Sequence, residues 1–372
     1  MTDEGHMRRA LDLAERGWGH VSPNPLVGAV VLDAPGEVVG EGWHEGPGTP
    51  HAEAMALAAA GPRAYGGTTV VTLEPCDHHG RTGPCTQALI DAGVARVIAA
   101  VGDPNPIVNG AGFTRLREAG IEVVVGMCET EAARLNGAFF RHVQTGRPFV
   151  VLKAGASIDG KAAAADGSSR WITSEAARAD AQKLRAWADA IVVGAGTVLA
   201  DDPALTVRDP RWSASRPPLR VVVDSGGRAV PPLRIFEGTA PTLVATTDRA
   251  PASRVQAWRS AGADVAVLDT DATGRVSIGE LVQTLGKRDV QGVLVEGGAT
   301  LGWSFVRAGL VDRVVVYLAP ILVGGTAAPG VLAGDGFVPI DAALPLSFSV
   351  VERIGPDLKV EADVQRDRRR EG

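Results

Sequence analysis

Two short stretches decide the fold of this chain, HAEAMALAAA (residues 51–60) and LEPCDHHGRTGPC (residues 73–85). The first is an apolar run that precedes a Gly-Pro stop signal, which predicts a helix with Thr49 as its N-cap and Pro50 at its first position. The second begins at the end of a β-branched strand segment, 68–73, and ends where another helix is expected to begin. Polar side chains are thus collected at the ends of strands and helices.

Outward from these stretches, apolar strand patterns alternate with amphipathic helix patterns. The predicted strands lie at 27–32, 38–39, 68–73, 96–101, 121–125, 149–153, 190–193, 220–223, 242–245, 264–268, 292–295 and 313–318. The predicted helices lie at 7–16, 51–60, 85–92, 112–119 and 176–188, with others between the later strands. The first two strands are expected to form a hairpin, and the alternation as a whole predicts layered α/β sheets.

The length of 372 residues is about twice that of a usual domain, so two domains are expected. We predict domains at 1–146 and 147–372, because the turn-containing segment NGAFFRHVQTGRP (136–148) directly precedes a new strand. With 45% hydrophobic and 22% charged residues, the composition is that of a folded globular protein and not of a disordered or fibrous one.

Charge and cysteine content exclude several classes of function. A net charge of −6 argues against a nucleic-acid partner, which needs a broad basic surface. Three cysteines are too few for a disulfide framework, which favours a reducing compartment and cysteines that act through metal binding or reactivity. The first residues lack the apolar core of a signal peptide, and no apolar run is long enough to cross a bilayer. We therefore expect a cytoplasmic protein with no membrane partner.

Four residues of the two opening stretches form a candidate metal centre: His51, Glu53, Cys76 and Cys85. One imidazole and two thiolates leave the fourth tetrahedral position of a zinc ion open, which is typical of a catalytic site. A carboxylate at Glu53 could then move protons between water and a leaving amine. The H-x-E and P-C elements are those of zinc-dependent deaminases. Eight residues separate the two cysteines here, so the intervening loop must fold back and could line a substrate pocket.

Two other interpretations compete with this one. In the first, the zinc is structural, His78 or His79 is a fourth ligand, and the second half of the chain is a binding module. In the second, the protein is a nucleic-acid-editing deaminase. That hypothesis predicts a basic groove with aromatic side chains, whereas this chain is acidic and has 5% aromatic residues.

The second half carries a different set of polar segments. VVGAGTV (192–198) fails the G-x-G-x-x-G pattern, so a Rossmann interpretation is weak. LVEGGATL (294–301) is a strand followed by a glycine pair and a helix, which is either a tight turn or a site where backbone N–H groups face a cofactor phosphate. The segments KAGASIDGK (153–161), SSRWIT (168–173) and TVLADDPALTVR (197–208) indicate a binding cleft at strand ends.

The chain resembles the bifunctional deaminase/reductase family of riboflavin biosynthesis. The resemblance to the deaminase half rests on SPNPLVG (22–28), PHAE (50–53), EPCDHHGRTGPC (74–85) and VGDPNP (101–106). The resemblance to the reductase half rests on the polar segments above together with GRPFV (146–150) and EGG (296–298), and leaves mainly 258–287 and the basic tail unmatched. It implies a cytidine-deaminase-like α/β/α layered domain followed by a dihydrofolate-reductase-like α/β domain.

The resemblance also implies roles for individual residues. Zinc is assigned to His51, Cys76 and Cys85, and the proton shuttle to Glu53. NADPH is assigned to Ala156, Trp171, Thr197, Asp201, Ser225, Gly297 and Gly298, and the substrate to Ser169, Arg185, Leu205, Arg208 and Glu296. Guanidinium groups suit the phosphate that such a substrate carries. The implied substrate is a phosphoribosylated diaminopyrimidine, which is deaminated and then reduced from ribosyl to ribityl. The residues alone do not separate NADPH from NADH, and a homo-oligomer is expected.

Overall fold

The computed structural model of the chain describes residues 1–78, 83–106, 108–212, 214–238 and 240–366. Contacts between residues divide the chain into two compact units, Met1–Gly146 and Arg147–Gly372. Each unit is built on a single β-sheet. Within the described residues, none of the helices has the length and apolar character needed to cross a membrane.

The first unit contains a five-stranded sheet of order β2-β1-β3-β4-β5. Its strands are β1 (Gly28–Leu32), β2 (Val38–Trp43), β3 (Thr68–Val71), β4 (Arg96–Ala99) and β5 (Glu122–Val125). Its helices are α1 (Asp3–Glu15), α2 (Ala52–Ala60), α3 (Cys85–Asp91), α4 (Ala111–Glu118), α5 (Glu129–Leu135) and α6 (Gly137–Thr145). Strand β1 is antiparallel to β2 and β3, whereas β3, β4 and β5 are parallel. Helices α2, α3 and α4 cover one face, and α1 and α5 cover the other.

Glycines in β2 allow α2 to lie directly on the sheet. A Cβ atom on Gly40 would lie 2.1 Å from the carbonyl oxygen of Ala56, and one on Gly42 would lie 2.4 Å from that of Ala52. Such distances are far below van der Waals contact, so only glycine permits this approach at either position. The close contact fixes the start of α2 relative to the strands that carry the rest of the metal centre.

The predicted N-cap of α2 was wrong. The helix begins at Ala52, and its N-cap is His51, which has an extended backbone and no side-chain capping bond. Thr49 closes a local turn instead, because its hydroxyl donates a 2.8 Å hydrogen bond to the carbonyl oxygen of Gly46. His51 therefore keeps its imidazole outside the helix, available to other groups.

The second unit contains a nine-stranded sheet of order β10-β9-β8-β7-β11-β6-β12-β14-β13. Its strands are β6 (Phe149–Ser157), β7 (Ala190–Gly194), β8 (Leu219–Val223), β9 (Thr242–Thr246), β10 (Asp264–Val267), β11 (Gly292–Glu296), β12 (Arg313–Ala319), β13 (Leu346–Ile354) and β14 (Asp357–Val364). Its helices are α7 (Glu175–Trp187), α8 (Ala195–Asp201), α9 (Ala252–Ser260), α10 (Ile278–Gly286) and α11 (Ala299–Arg307). The seven strands from β10 to β12 are parallel to their neighbours, and β14 and β13 extend the sheet with antiparallel pairs.

The α/β class is confirmed in both units, and every predicted strand corresponds to an observed one. The predicted helices are also present, with ends displaced by up to four residues. Strands β13 and β14 were not predicted. A register shift between Phe348 and Val350 interrupts the alternation of side chains in β13, and most of this strand is exposed, so the usual signal of a half-buried strand is absent.

Candidate active sites

A cavity of about 460 Å³ lies in the first unit, beside the start of α2 and the segment that follows β3. His51, Glu53 and Cys76 line it, and all three belong to the segments 51–60 and 73–85. Asn24 and His44 line another part of the wall, with 2.9 Å between Asn24 Nδ2 and His44 Nε2. The cavity therefore brings two of the three predicted metal ligands together with the predicted proton-transfer residue.

The three predicted zinc ligands converge. His51 Nδ1 lies 3.2 Å from Cys85 Sγ and 3.5 Å from Cys76 Sγ, and the three ligand atoms all lie within 4.8 Å of one another. Bonds of about 2.0–2.3 Å to a tetrahedral zinc would separate such ligand atoms by about 3.5–3.8 Å. The donor set and its spacing thus fit a zinc ion. Among the described residues no other cluster of this kind occurs.

The fourth-ligand interpretation receives no support from the described part of the chain. His78 is exposed and is not in the cluster, although it lines the cavity. His79 lies outside the described residues. Among the residues that the structure describes, the candidate centre therefore offers three protein ligands, and a tetrahedral zinc ion held by them would keep one position for water or substrate.

Burial and hydrogen bonding tune the charges of these ligands. A hydrogen bond from the Cys85 thiol, together with the His51 imidazole, lowers the pKa of Cys76 to about 4. The same bond and burial raise the pKa of Cys85. The bond to Cys76 also raises the pKa of His51, against the effect of its burial. Negative charge is therefore already favoured on one sulfur of the centre, as a metal-binding thiolate requires.

Glu53 lies in the first turn of α2 and is only 3% exposed. Burial, reinforced by the nearby Cys76, raises the pKa of its carboxyl group to about 7. A carboxyl group with such a pKa can both accept and release a proton near neutral pH. The position is suited to proton transfer beside the metal ligands.

Glu74 organises the opposite wall of the cavity. It is 4% exposed, and its carboxylate accepts four backbone hydrogen bonds from the segment after β4. The donors are the N–H groups of Asp103 (3.2 Å), Gly110 (3.1 Å), Gly112 (3.0 Å) and Phe113 (3.4 Å). Asp103 and Asn105 of that segment line the cavity. No role was predicted for Glu74, although it lies two residues before Cys76 in the segment 74–85.

A second cavity, of about 470 Å³, lies in the second unit beside β6, β7 and β11. Ligands of open parallel sheets bind outside the carboxyl ends of the strands, where Glu296 lies at the end of β11. Most of the predicted cofactor and substrate residues line this cavity: Ser169, Trp171, Arg185, Thr197, Asp201, Leu205, Arg208, Glu296 and Gly297.

Three predicted cofactor residues do not line the cavity. Ala156 is fully buried in β6. Ser225 follows β8, and its hydroxyl accepts a 3.0 Å hydrogen bond from the N–H of Val276. Gly298 is the N-cap of α11, next to the lining residue Gly297. A contact of these three with a cofactor remains an expectation of the resemblance.

A buried ion pair forms the floor of the second cavity. Arg185 Nη2 lies 2.6 Å from Glu296 Oε2, and Arg185 Nε lies 3.0 Å from Glu296 Oε1, which is the bidentate geometry of a guanidinium and a carboxylate. Burial opposes ionisation of Glu296, but Arg185 and Lys153 outweigh it and lower the pKa of Glu296. Burial lowers the pKa of Lys153, which lines the same cavity. Lys153 is the first residue of the polar segment 153–161, but no role was predicted for it.

The glycine turn after β11 packs tightly against α8. Gly297 has φ +85°, and a Cβ atom there would lie 2.9 Å from Thr197 Cγ2. Both the backbone conformation and the contact therefore require glycine. The turn brings Thr197 and Gly297, two residues that the sequence places 100 positions apart, to one wall of the cavity.

Each unit matches a known protein family. A profile described as the cytidine and deoxycytidylate deaminase zinc-binding region matches residues 1–101, and the RibD C-terminal domain matches residues 148–360. The second match includes most of the described chain after β6, and also the segment 258–287. The riboflavin biosynthesis protein RibD of Bacillus amyloliquefaciens is 44% identical, with 97% of this chain and 96% of that protein covered. The chain belongs to the RibD family.

Solved RibD structures have the same fold. Acinetobacter baumannii RibD superposes with a TM-score of 0.85 at 38% identity, covering 98% of this chain and 99% of that one. A diaminohydroxyphosphoribosylaminopyrimidine deaminase/5-amino-6-(5-phosphoribosylamino)uracil reductase from Thermotoga maritima superposes with a TM-score of 0.83 at 35% identity and the same coverage. This RibD chain is therefore a bifunctional enzyme of riboflavin biosynthesis, with a cytidine-deaminase-like zinc domain and an NADPH-dependent reductase domain.

Proposed function

We propose that the chain catalyses two consecutive reactions on one pyrimidine, each in one of the two cavities. In the domain 1–146, the exocyclic amine of a diaminohydroxyphosphoribosylaminopyrimidine is exchanged for oxygen with release of ammonia. In the domain 147–372, the ribosyl group of 5-amino-6-(5-phosphoribosylamino)uracil is reduced to ribityl. The observation that carries the proposal is the buried carboxyl group of Glu53 beside three converging zinc ligands.

In the deaminase site, His51, Cys76 and Cys85 would hold the zinc ion. Zinc, when bound, would lower the pKa of water and so supply a nucleophile near neutral pH. Glu53 takes a proton from the attacking water at its carboxylate and delivers it to the departing amine, a transfer that its pKa of about 7 favours. Glu74 is part of the wall of the cavity in which the pyrimidine would bind.

In the reductase site, Ser169, Arg185, Leu205, Arg208 and Glu296 contact the substrate. NADPH, when bound, supplies the hydride for C1′ of the sugar. The residues proposed to contact NADPH are Ala156, Trp171, Thr197, Asp201, Ser225, Gly297 and Gly298. The side chain of Trp171 is 67% exposed, and the guanidinium group of Arg178 lies 4.1 Å from the centre of its ring. The protein's part is to align the sugar with the cofactor and to place charge near C1′.

We also propose a homo-oligomer. Strand β13 forms the edge of the nine-stranded sheet, with Phe348 75% and Val351 62% exposed. Val338 and Ile340, just before it in the chain, are more than 80% exposed. An exposed edge strand that bears large apolar side chains is a typical surface for pairing with another copy. Analytical ultracentrifugation of the wild type and of Phe348→Ser tests this, since the variant should dissociate at a higher protein concentration.

A cytoplasmic location completes the proposal. The three cysteines are free thiols, and two of them are zinc ligands here, which suits a reducing compartment. Fractionation of cells that produce the protein, with immunodetection, would test the location.

Mass spectrometry of the phosphoribosylated diaminopyrimidine, incubated with the purified chain, tests the proposed function. Without NADPH, we expect the amine-to-oxygen exchange alone, and with NADPH a further gain of two hydrogens. Exchange without reduction would overturn the proposal for the second domain. An unchanged substrate in the presence of bound zinc would overturn the proposal for the first.

A further inference from the structure

The cavity of the second unit gathers more positive charge than its acids neutralise. Five arginines line it: Arg170, Arg178, Arg185, Arg208 and Arg234. Arg185 pairs with Glu296, and Arg170 lies 3.7 Å from Asp201. Among the described residues, the guanidinium groups of the other three form no ion pair with a carboxylate. Three acids, Asp201, Asp202 and Glu296, face five arginines and Lys153 in this lining, so the cavity carries a net positive charge that a bound anion would help to neutralise.

Two of these arginines, Arg208 and Arg234, line the same cavity as the buried ion pair of Arg185 and Glu296. Burial, and next the charges of Arg185 and Arg234, lower the pKa of Arg208. The backbone of Arg208 is fixed, since its N–H donates a 2.9 Å hydrogen bond to Gln182 Oε1. Arg208 therefore shares the cavity lining with two other guanidinium groups, those of Arg185 and Arg234. Such a like-charge cluster is costly unless an anion binds to it.

Arg234 comes from a separate and well-anchored part of the fold. It begins the 3-10 turn Arg234–Phe236, in which Ile235 is fully buried. The N–H of Arg234 donates a 2.8 Å hydrogen bond to Asp202 Oδ1, next to the end of α8. Its backbone is therefore held beside the cavity, and its exposed side chain is part of the cavity lining.

We infer that Arg234 is a substrate-specificity residue that binds a phosphate monoester together with Arg208. This inference rests on the proposed function, which supplies the phosphorylated sugar as the ligand. A phosphate monoester carries nearly two negative charges, and guanidinium forks bind its oxygens in pairs. The 2′-phosphate of NADPH has the same chemistry. We assign Arg234 to the substrate phosphate because Arg208 and Arg185, which line the same cavity, are residues that the proposed function places on the substrate.

Steady-state kinetics of Arg234→Gln test this inference. The matched control is Arg259→Gln, which removes the same charge from an exposed position on α9, away from the cavity. With 5-amino-6-(5-phosphoribosylamino)uracil, we expect KM to rise about tenfold in Arg234→Gln at a nearly unchanged kcat. The dephosphorylated substrate should be reduced equally by the variant and the wild type. Arg234→Lys should be intermediate, and the control should match the wild type.

Other roles for Arg234 give different kinetic results for the Arg234→Gln variant. A loss of the preference for NADPH over NADH would place Arg234 on the cofactor phosphate and overturn the inference. An equal rise in KM for the phosphorylated and the dephosphorylated substrate would also overturn it. So would an unchanged KM for both substrates.

A calorimetric titration distinguishes a failure of this inference from a failure of the proposed function. Ribose 5-phosphate, titrated into the full chain, should bind about tenfold more weakly to Arg234→Gln than to the wild type. An unchanged affinity would contradict the inference. If the wild type bound ribose 5-phosphate but did not reduce the aminouracil, the proposed reaction would fail while the role of Arg234 in phosphate binding would stand.

Discussion

Glu53 derives its chemistry from its place on α2. The glycines of β2 let the helix lie on the sheet, and the helix buries the carboxyl group beside the sulfur atoms of the zinc ligands. Its raised pKa is thus a consequence of packing and not of the H-x-E spacing by itself. The spacing predicted the residue, and the burial makes it suitable for proton transfer.

Replacement of Glu53 by Gln should separate metal binding from catalysis. Gln keeps the shape of the side chain but cannot carry a proton between water and the leaving amine. We expect ammonia release to fall by about 10³-fold, within the range for loss of a general acid–base group. Zinc content, measured by plasma mass spectrometry, should stay at the wild-type level. Loss of zinc from the variant would instead indicate that Glu53 is part of the metal centre.

Arg185 should be sensitive even to the replacement that keeps its charge. Lys cannot reproduce the two parallel hydrogen bonds that Arg185 makes to Glu296. For Arg185→Lys we expect kcat/KM of the reductase to fall at least about tenfold, while ammonia release is unchanged. Steady-state assays of both half-reactions check this. Wild-type reduction by Arg185→Lys would show that the bidentate pair is dispensable.

At the scale of elements, Glu74 connects the segment after β3 to the segment after β4. In Glu74→Gln, an amide NH₂ group replaces one oxygen and faces backbone N–H donors that it cannot satisfy. We expect the free energy of unfolding to fall by about 2–3 kcal/mol, as for loss of hydrogen bonds to a charged group. Deamination should also fall, because Asp103 and Asn105 lose their fixed position.

Urea titration of Glu74→Gln beside Glu118→Gln measures this effect. The second variant removes the same charge from an exposed residue of α4 and should be nearly neutral. Equal stability of the two variants would refute the organising role of Glu74.

Lys359 connects β14 to α7. Its ammonium group lies 2.9 Å from Asp180 and 3.2 Å from Glu361, and these acids raise its pKa against the effect of burial. Because the folded-state pKa lies above the unfolded value of about 10.4, this stabilisation is complete at neutral pH and is lost only as the pH rises through the folded-state pKa.

Lys359→Met should therefore destabilise the second unit at neutral pH. The variant leaves two partly buried carboxylates without their cation, which costs about 3 kcal/mol. Urea unfolding at pH 7 measures the loss, and Lys287→Met, at an exposed position after α10, is the control. A loss no larger than that of the control would mean that solvent already screens this cluster.

Sequence analysis was most successful where chemistry and periodicity coincide. The α/β class, all the strands except β13 and β14, and the three candidate metal ligands that converge were predicted. Strand β13 was missed because a bulge and solvent exposure remove the alternating pattern. No role was predicted for Glu74, although it begins the segment 74–85, or for Arg234, which belongs to no motif with a known spacing. Their surroundings arise only when distant segments fold together, as when Asp202 anchors the turn that carries Arg234.

At the scale of the whole molecule, the candidate site of each unit lies in a cavity, and these two cavities have similar volumes and unlike chemistry. The first has a buried acid beside thiol and imidazole ligands, and the second has a cationic lining around a buried carboxylate. A hydrolytic step suits the first, and the reduction of a phosphorylated sugar suits the second. We therefore expect that a substitution can inactivate one site while the other site keeps its catalytic activity.

The most direct test of this division is the product mass formed by the Glu53→Gln chain in the presence of NADPH. Given the phosphoribosylated diaminopyrimidine, the variant should return it unchanged. Given the deaminated aminouracil, it should add two hydrogens at the wild-type rate. Removal of the amine by this variant, or failure to reduce the deaminated compound, would contradict the account.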